Sequence, residues 1–255
     1  MTHALAASGT IAMRSLILVR RMPSVFLPSL IMPLFILITT AGAFQGIAQL
    51  SAFDGASYLA FTLPFATVMG AGFAGINSGM TLARDIEGGF ADRLVASPVP
   101  RSVLVIGPLM ASCVRSLFTT TVVMAAAIIG GVDIPSALGI AVIYLLAMLF
   151  SAACAAWSMG VALRTRSIQS APLMQVVVFL GVFMSVAYAP REALEGWLRV
   201  VADVNPVTLL LESSREATIE TVTWAGFWPG LAAGLGLVAL LGLWALTGLR
   251  RIGTY

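Results

Sequence analysis

The side chains able to do chemistry in this chain are few and far apart. The only histidine is His3, in the N-terminal tail, and the two cysteines, Cys113 and Cys154, sit inside apolar runs. No His/Cys/Asp/Glu cluster has metal-ligand spacing. No serine or cysteine has a base placed to activate it. There is no G-x-x-x-x-G-K-[ST] loop to cradle a nucleotide phosphate. The acids Glu192, Glu195, Glu212, Glu216 and Glu220 can form a cation-facing surface, but arginines interleave them as on a solvated helix face. Catalysis, a bound cofactor and a metal are therefore not expected of this chain. The cysteines read as small buried apolar residues rather than a disulfide.

Three polar residues interrupt apolar stretches: Asn77, Arg115 and Gln175. Each can line a path or hydrogen-bond a neighbouring helix. A charge inside a membrane span costs roughly 2.5–3.5 kcal/mol on insertion scales. Arg115 escapes that cost if its run begins as a cytoplasmic extension, so that the side chain snorkels to the inner interface. That placement is the expectation.

The elements that must carry these residues are apolar. Residues 58–83 hold no charged side chain and stop at Arg84-Asp85-Ile86-Glu87. About 20 apolar residues cross a hydrocarbon core of ~30 Å as a helix, and in lipid the backbone must satisfy its own hydrogen bonds. The chain is 59% hydrophobic and 10% charged over 255 residues, with a mean hydropathy of +0.99. A typical soluble domain carries ~25% charged residues. The whole of residues 1–255 therefore reads as one polytopic, all-α membrane domain with no room for a separate soluble catalytic unit.

Six apolar runs are expected to span: 25–45, 57–83, 104–129, 136–163, 171–188 and 225–249. Gly130-Gly131 and Pro135 place a tight turn between the third and fourth. The first run reads as a permanent span, not a removed signal. Residues 1–22 place Ile11, Leu16, Ile17 and Leu18 beside Arg14, Arg20 and Arg21, the pattern of an interfacial helix on membrane lipids.

All 14 basic residues are arginine. Arg14, Arg20, Arg21, Arg84, Arg93, Arg101, Arg164, Arg166, Arg250 and Arg251 fall on one side of a six-span layout, with the acids Asp85, Glu87 and Asp92. The other side holds Arg191, Arg199 and Arg215 against Asp54, Asp133, Glu192, Glu195, Asp203, Glu212, Glu216 and Glu220. The positive-inside rule then puts both termini in the cytoplasm, in the inner or plasma membrane of a cell. The basic pI of 9.3 follows from this layout and implies no nucleic acid.

Two polar breaks stand out. Residues 84–101 form the longest internal cytoplasmic connection; Phe90 and Leu94 recur at helical spacing, with Asp92 and Arg93 on other faces. Such a short amphipathic helix suits docking into another protein, though the same residues also fit a loop that only reverses the chain. Residues 189–224 form the outer break. Pro190 opens it, and Ala193, Leu194, Trp197, Leu198 and Val201 make an apolar stripe. Asn205-Pro206 then gives an N-cap with proline at the first helical position. Two amphipathic helices there can lie on the bilayer or dip in as a re-entrant pair; a plain outer loop is the alternative.

These features together resemble the membrane subunit of an ABC-2 type exporter, similar to the daunorubicin-resistance permeases. The run Glu87-Gly88-Gly89-Phe90-Ala91-Asp92-Arg93-Leu94 with Pro98 and Arg101 resembles the family's E-x-G-x-x-x-R-L…P-x-x-R stretch after the second span. The outer pattern Pro190, Leu194, Trp197-Leu198, Asn205-Pro206-Val207-Thr208, Glu212, Arg215 resembles its segment before the last span. Gly196 stands where the family often has proline. The resemblance implies a half-transporter that moves an amphipathic drug or lipid outward. Its partners would be a separate ATP-binding subunit and a second permease chain, identical or closely related. It assigns coupling to Glu87, Gly88, Gly89, Phe90, Asp92, Arg93 and Leu94. It assigns an outer gate to Trp197, Asn205, Pro206, Glu212 and Arg215. Two other classes remain: a membrane scaffold independent of any ATPase, and an ion-coupled transporter, which ordinarily needs an intramembrane Asp, Glu or His.

Overall fold

Short polar side chains start most of the helices. Ser57, Ser136 and Thr223 each accept a hydrogen bond from the backbone N–H three residues on, from Ala60, Gly139 and Gly226. The computed structural model describes residues 23–44, 57–89 and 102–249, with Met13 and Ile17. Among them are α1 (Pro23–Phe44), α2 (Tyr58–Glu87), α3 (Val103–Ile129), α4 (Ala137–Thr165) and α5 (Ala171–Phe183). These are followed by α6 (Gly196–Val204), α7 (Pro206–Ile219) and α8 (Trp224–Gly248). No strand occurs among the described residues.

Helices α2, α3, α4 and α8 are each long and apolar enough to cross a membrane. The apolar part of α1, Ser29–Ala43, and the segment Ile168–Phe183 are shorter. Helix α2 is the hub. It packs against α1, α3, α4, α5 and α7, and its core-facing residues Leu63, Phe65, Met69 and Ile76 are fully buried. Its seam with α4 depends on small residues. Gly75 and Gly79 lie one turn apart. A Cβ built on Gly79 would sit 2.4 Å from the Ser158 backbone carbon, and one on Gly75 would sit 2.4 Å from the Ser151 carbonyl oxygen. The backbones thus approach too closely for any side chain at these two positions. The Gly79 N–H donates to Ser158 Oγ at 3.2 Å, and Ser158 Oγ donates to the Gly75 carbonyl at 3.3 Å.

Helices α3 and α4 join through the glycine turn expected there, with Gly131 at φ 92°. Two boundaries differ from expectation. Helix α2 does not stop at Ala83; Arg84 to Glu87 form its polar last turn, and Gly88 and Gly89 (φ 67°) close it. The glycine pair therefore closes α2. Helix α5 stops at Phe183, short of Tyr188, and residues 184–190 run on without helix. The reason lies in its partners: the Asn205 side-chain amide donates to the carbonyls of Gly181 and Met184, at 2.6 and 3.0 Å. Non-helical backbone in a membrane protein is tolerated where protein satisfies it. Here Ser185, Val186 and Ala187 are buried.

The outer limb also starts later than the apolar stripe implies. Residues Arg191–Ala193 form one 3₁₀ turn, and α6 begins only at Gly196, whose φ of 61° suits glycine. Ala193 and Leu194 thus belong to the turn and its exit, not to the α6 stripe.

Candidate functional site

The bundle has two polar ends. At one, α2 finishes at Glu87, α4 finishes at Arg164-Thr165, and α5 and α8 respectively start and finish. Glu87 Oε1 accepts from Ser167 Oγ and from the Ile168 N–H, both at 2.8 Å. The end of α2 is thereby joined to the α4–α5 connection. Arg164 fastens α8 there. Its guanidinium donates to the carbonyls of Gly160 and Trp244 and to Thr247 Oγ1, within 2.8–2.9 Å, and lies 3.9 Å from the Trp244 ring centroid. Gly88 and Gly89 adjoin Glu87. Phe90, Asp92, Arg93 and Leu94 lie outside the described residues, as do most of residues 1–22.

At the other end α6 and α7 fold back onto the bundle. Asn205 does two jobs at once. Its Oδ1 accepts the Val207 N–H at 3.0 Å and so caps α7, Pro206 supplies the first helical position, and its Nδ2 caps α5. The inward face of α7 is Val207, Leu210, Leu211 and Ser214, all buried. Arg215 reaches across to α2. Its Nε donates to the Phe61 carbonyl at 3.3 Å, its Nη2 to the Val186 carbonyl at 2.9 Å, and the guanidinium stacks 3.6 Å over the Phe61 ring. Tyr58 Oη donates to the Tyr188 carbonyl at 3.0 Å. The non-helical segment after α5 is thus held by Asn205, Arg215 and Tyr58 together.

Glu212 forms a two-point pair with Arg191, at 2.9 and 2.8 Å, and Arg191 also meets Asp203 at 3.2 Å. Hydrogen bonding to Glu212 holds the Arg191 guanidinium above its ordinary pKa. The pair ties the 3₁₀ turn to α7 and to the end of α6. Trp197 stands apart from this network. It is 67% exposed, on a face of α6 shared with Val200 and Val204, while Leu194 and Ala202 are buried. Trp224 and Trp228 are also exposed at this end, where α8 begins. Aromatic side chains at this height suit a membrane interface.

The polar residues inside the spans are not gathered into one chamber. Arg115 does not snorkel. It is 5% exposed, at the middle of α3, and donates to the Ala74 carbonyl at 3.2 Å and to Ser78 Oγ on α2. The helix packs its cation inward because two acceptors on α2 face it; its Nε has no hydrogen-bond partner. Asn77 is half-buried one residue from Ser78, and its carbonyl accepts from Thr81. Gln175 is half-buried on α5. Cys113 and Cys154 are free thiols.

In the linear pattern Arg191 is only a charge, Tyr58 and Phe61 carry no mark, and Ser167 carries a faint one. Arg191 lies 21 residues from its partner Glu212, across an irregular turn, so no helical period links them. A serine directly after Arg166, just past the end of α4, is the faint signal for Ser167.

Residues 7–219 match the ABC-2 type transporter family, and the chain belongs to that family. Its members are transmembrane permease subunits that work with an ABC ATP-binding subunit and are not themselves catalytic. This is accordingly a multi-pass membrane permease. It is similar to the daunorubicin resistance ABC transporter permease protein DrrB1 of Streptomyces coeruleorubidus. The two are 27% identical over 243 residues, covering 93% of this chain and 83% of the relative. It is also similar to the putative transport permease ycf38 of Cyanophora paradoxa, at 26% identity over 207 residues, covering 79% and 70%.

Proposed function

We propose that this chain is the membrane half of an ATP-driven exporter of amphipathic drugs or lipids. In this reading α1, α2, α3, α4, α5 and α8 are six spans, and both termini are cytoplasmic. Helix α5 with its leading 3₁₀ turn covers 16 residues, about 24 Å of rise, and the protein-held segment 184–190 completes that crossing. Residues 84–101 couple to a separate ATP-binding subunit, and α6–α7 gate the outer exit. A second permease chain completes the path. ATP-driven closure of the nucleotide subunits moves the coupling segments as rigid bodies and opens the path outward.

The observation that carries this reading is the placement of the two breaks. The connection leaving α2 at Glu87 and the folded-back α6–α7 pair stand at opposite ends of the same hub helix. The drug class rests on the relative named for daunorubicin resistance.

The test is ATP-dependent uptake of daunorubicin into inverted vesicles. These would carry this chain with an ABC-type P-loop ATPase that co-purifies with it. Uptake is expected with both proteins and not with either alone. Uptake that persists with a hydrolysis-dead ATPase would refute ATP coupling. No uptake of daunorubicin or of a labelled phospholipid by the pair would refute export of this class.

A further inference from the structure

Helix α5 is fastened differently from its neighbours. Along its length it meets α2 through aromatic rings. Phe179 lies 5.5 Å from Phe73 and Phe183 lies 5.8 Å from Phe65, centroid to centroid and edge to face. Ring edges set spacing but fix no register along the axis. Its bonds to α2 and α7 are at its two ends, and α4 adds one near the first, from Trp157 Nε1 to the Met174 carbonyl at 3.3 Å. At one, Glu87 of α2 holds Ser167 and Ile168, which open the 3₁₀ turn Ile168–Ser170 running directly into α5. That turn is braced: Ser167 Oγ accepts from the Gln169 N–H at 3.2 Å, and Ser170 Oγ donates to the Ser167 carbonyl at 2.7 Å. At the other end Asn205 of α7 holds the carbonyls of Gly181 and Met184.

We propose that α5 is a strut with Glu87 and Asn205 as its end joints, carrying displacement of the polar end of α2 to the α6–α7 pair. The inference rests on the exporter reading above and adds two positioning residues to it. A braced turn at one end, an amide bridge at the other and ring contacts to α2 between them let α5, together with α4 at Trp157, shift along its axis relative to α2. A carboxylate clip on a braced turn transmits force because the turn cannot flex away. An amide bridging the end of α5 to the start of α7 passes the same displacement to the gate without a covalent hinge. In this account Glu87 serves as an acceptor, and its charge toward an outside partner is secondary.

The test uses the full chain with its ATPase partner, in nanodiscs for exchange and in inverted vesicles for transport. Glu87→Ala removes the acceptor, while Glu87→Gln keeps an acceptor oxygen for both donors. Asn205→Asp keeps the cap on Val207 and loses the donor to α5. Glu87→Ala is expected to speed Ile168 amide exchange about tenfold, the value of a lost charge-assisted hydrogen bond. It is also expected to lower daunorubicin uptake per ATP hydrolysed, with the ATPase still co-purifying. Glu87→Gln should recover at least half of both losses. Adding Glu87→Ala to Asn205→Asp should lower uptake no further, because the strut is already free at one end.

Unchanged Ile168 exchange in Glu87→Ala would overturn the joint. Additive losses in the double variant would overturn the strut. Loss of ATPase co-purification in Glu87→Gln as in Glu87→Ala would make Glu87 a direct charge contact instead. Wild-type chain that exports nothing with its ATPase would refute the exporter reading, whereas export unaffected by Glu87→Ala would refute only the strut.

Discussion

Replacing Gly79 by alanine adds one methyl group where the backbones of α2 and α4 touch. The new Cβ would lie 2.4 Å from the Ser158 carbonyl carbon and Cβ, and 2.5 Å from its carbonyl oxygen. Unstrained carbon contacts sit near ~3.5–4.0 Å, so the helices must part by about 1 Å. Helix α2 cannot retreat, because α1, α3 and α7 also pack on it. Overpacking of this kind costs about 1–3 kcal/mol. Parting the helices also stretches the two Ser158 bonds, to the Gly79 N–H and the Gly75 carbonyl, worth about 0.6 kcal/mol each in membrane proteins. Alanine offsets about 1 kcal/mol of this through its higher helix propensity. The net destabilisation is about 1–3 kcal/mol. Gly236→Ala on α8 is the control, because nothing lies within 4 Å of its Cβ position. Thermal unfolding in detergent, read by tryptophan fluorescence, should put Gly79→Ala several degrees below wild type and Gly236→Ala at or above it. A Gly79→Ala protein as stable as the control would mean that α2 and α4 do not meet backbone to backbone, and the hub would have to be redrawn.

Four further outcomes are expected. Arg115→Met removes a desolvated cation while keeping the volume, and Ser78 Oγ still donates to the Pro108 carbonyl; the unfolding midpoint should hold or rise, and a fall of ten degrees would show that its bonds to α2 outweigh its burial cost. Glu212→Gln weakens a pair that is about one-third exposed on each side, so its cost should stay below about 1 kcal/mol and shrink further in high salt; a larger, salt-insensitive loss would contradict that. In a background lacking Cys113 and Cys154, an impermeant thiol reagent on intact cells should label Glu195→Cys and spare Ser97→Cys; the reverse pattern would invert the topology. Leu94→Asp should leave membrane insertion intact while reducing co-purification of the ATPase and drug uptake; undiminished recovery and uptake would reduce residues 84–101 to a chain reversal.

The helical class and the long apolar elements were legible because lipid imposes one rule on every backbone group, and long uncharged runs obey it visibly. The N-cap at Asn205 and the helix that follows it were legible for a similar reason: caps and 3.6-residue periods are local. What escaped the sequence was set by partners far along the chain. Helix α5 ends at Phe183 because Asn205, 22 residues beyond, takes over its last carbonyls. Apolar periodicity alone continues to Tyr188, so the run looked longer than the helix. Arg115 misled because insertion cost depends on neighbours, and Ser78 and the Ala74 carbonyl, which receive it, carry no mark in a linear pattern. Glu87 is legible only as a coupling candidate through the family resemblance, because its acceptor role is visible only when the α4–α5 connection is brought beside it.

The two ends of the bundle are built from different kinds of bond, and that difference bears on how such a protein can move. Between α2 and α4 the contact is backbone on backbone through Gly75 and Gly79, which leaves no side chain to rotate away. A packed interface of this sort is stiff and moves as a unit. At the end where α6 and α7 fold back, the non-helical segment after α5 is held by long side chains. Arg215 reaches the Val186 carbonyl, Asn205 reaches Gly181 and Met184, and Tyr58 reaches Tyr188. Each such bond contributes only about 1 kcal/mol net where water can replace it. Such bonds can be exchanged one at a time where water or a passing amphiphile supplies a replacement partner, whereas no substitute exists for the backbone contact of the α2–α4 seam. On the exporter reading proposed above, a displacement applied at the Glu87 end would be relieved at the opposite end, where the restraining bonds run from side chain to backbone.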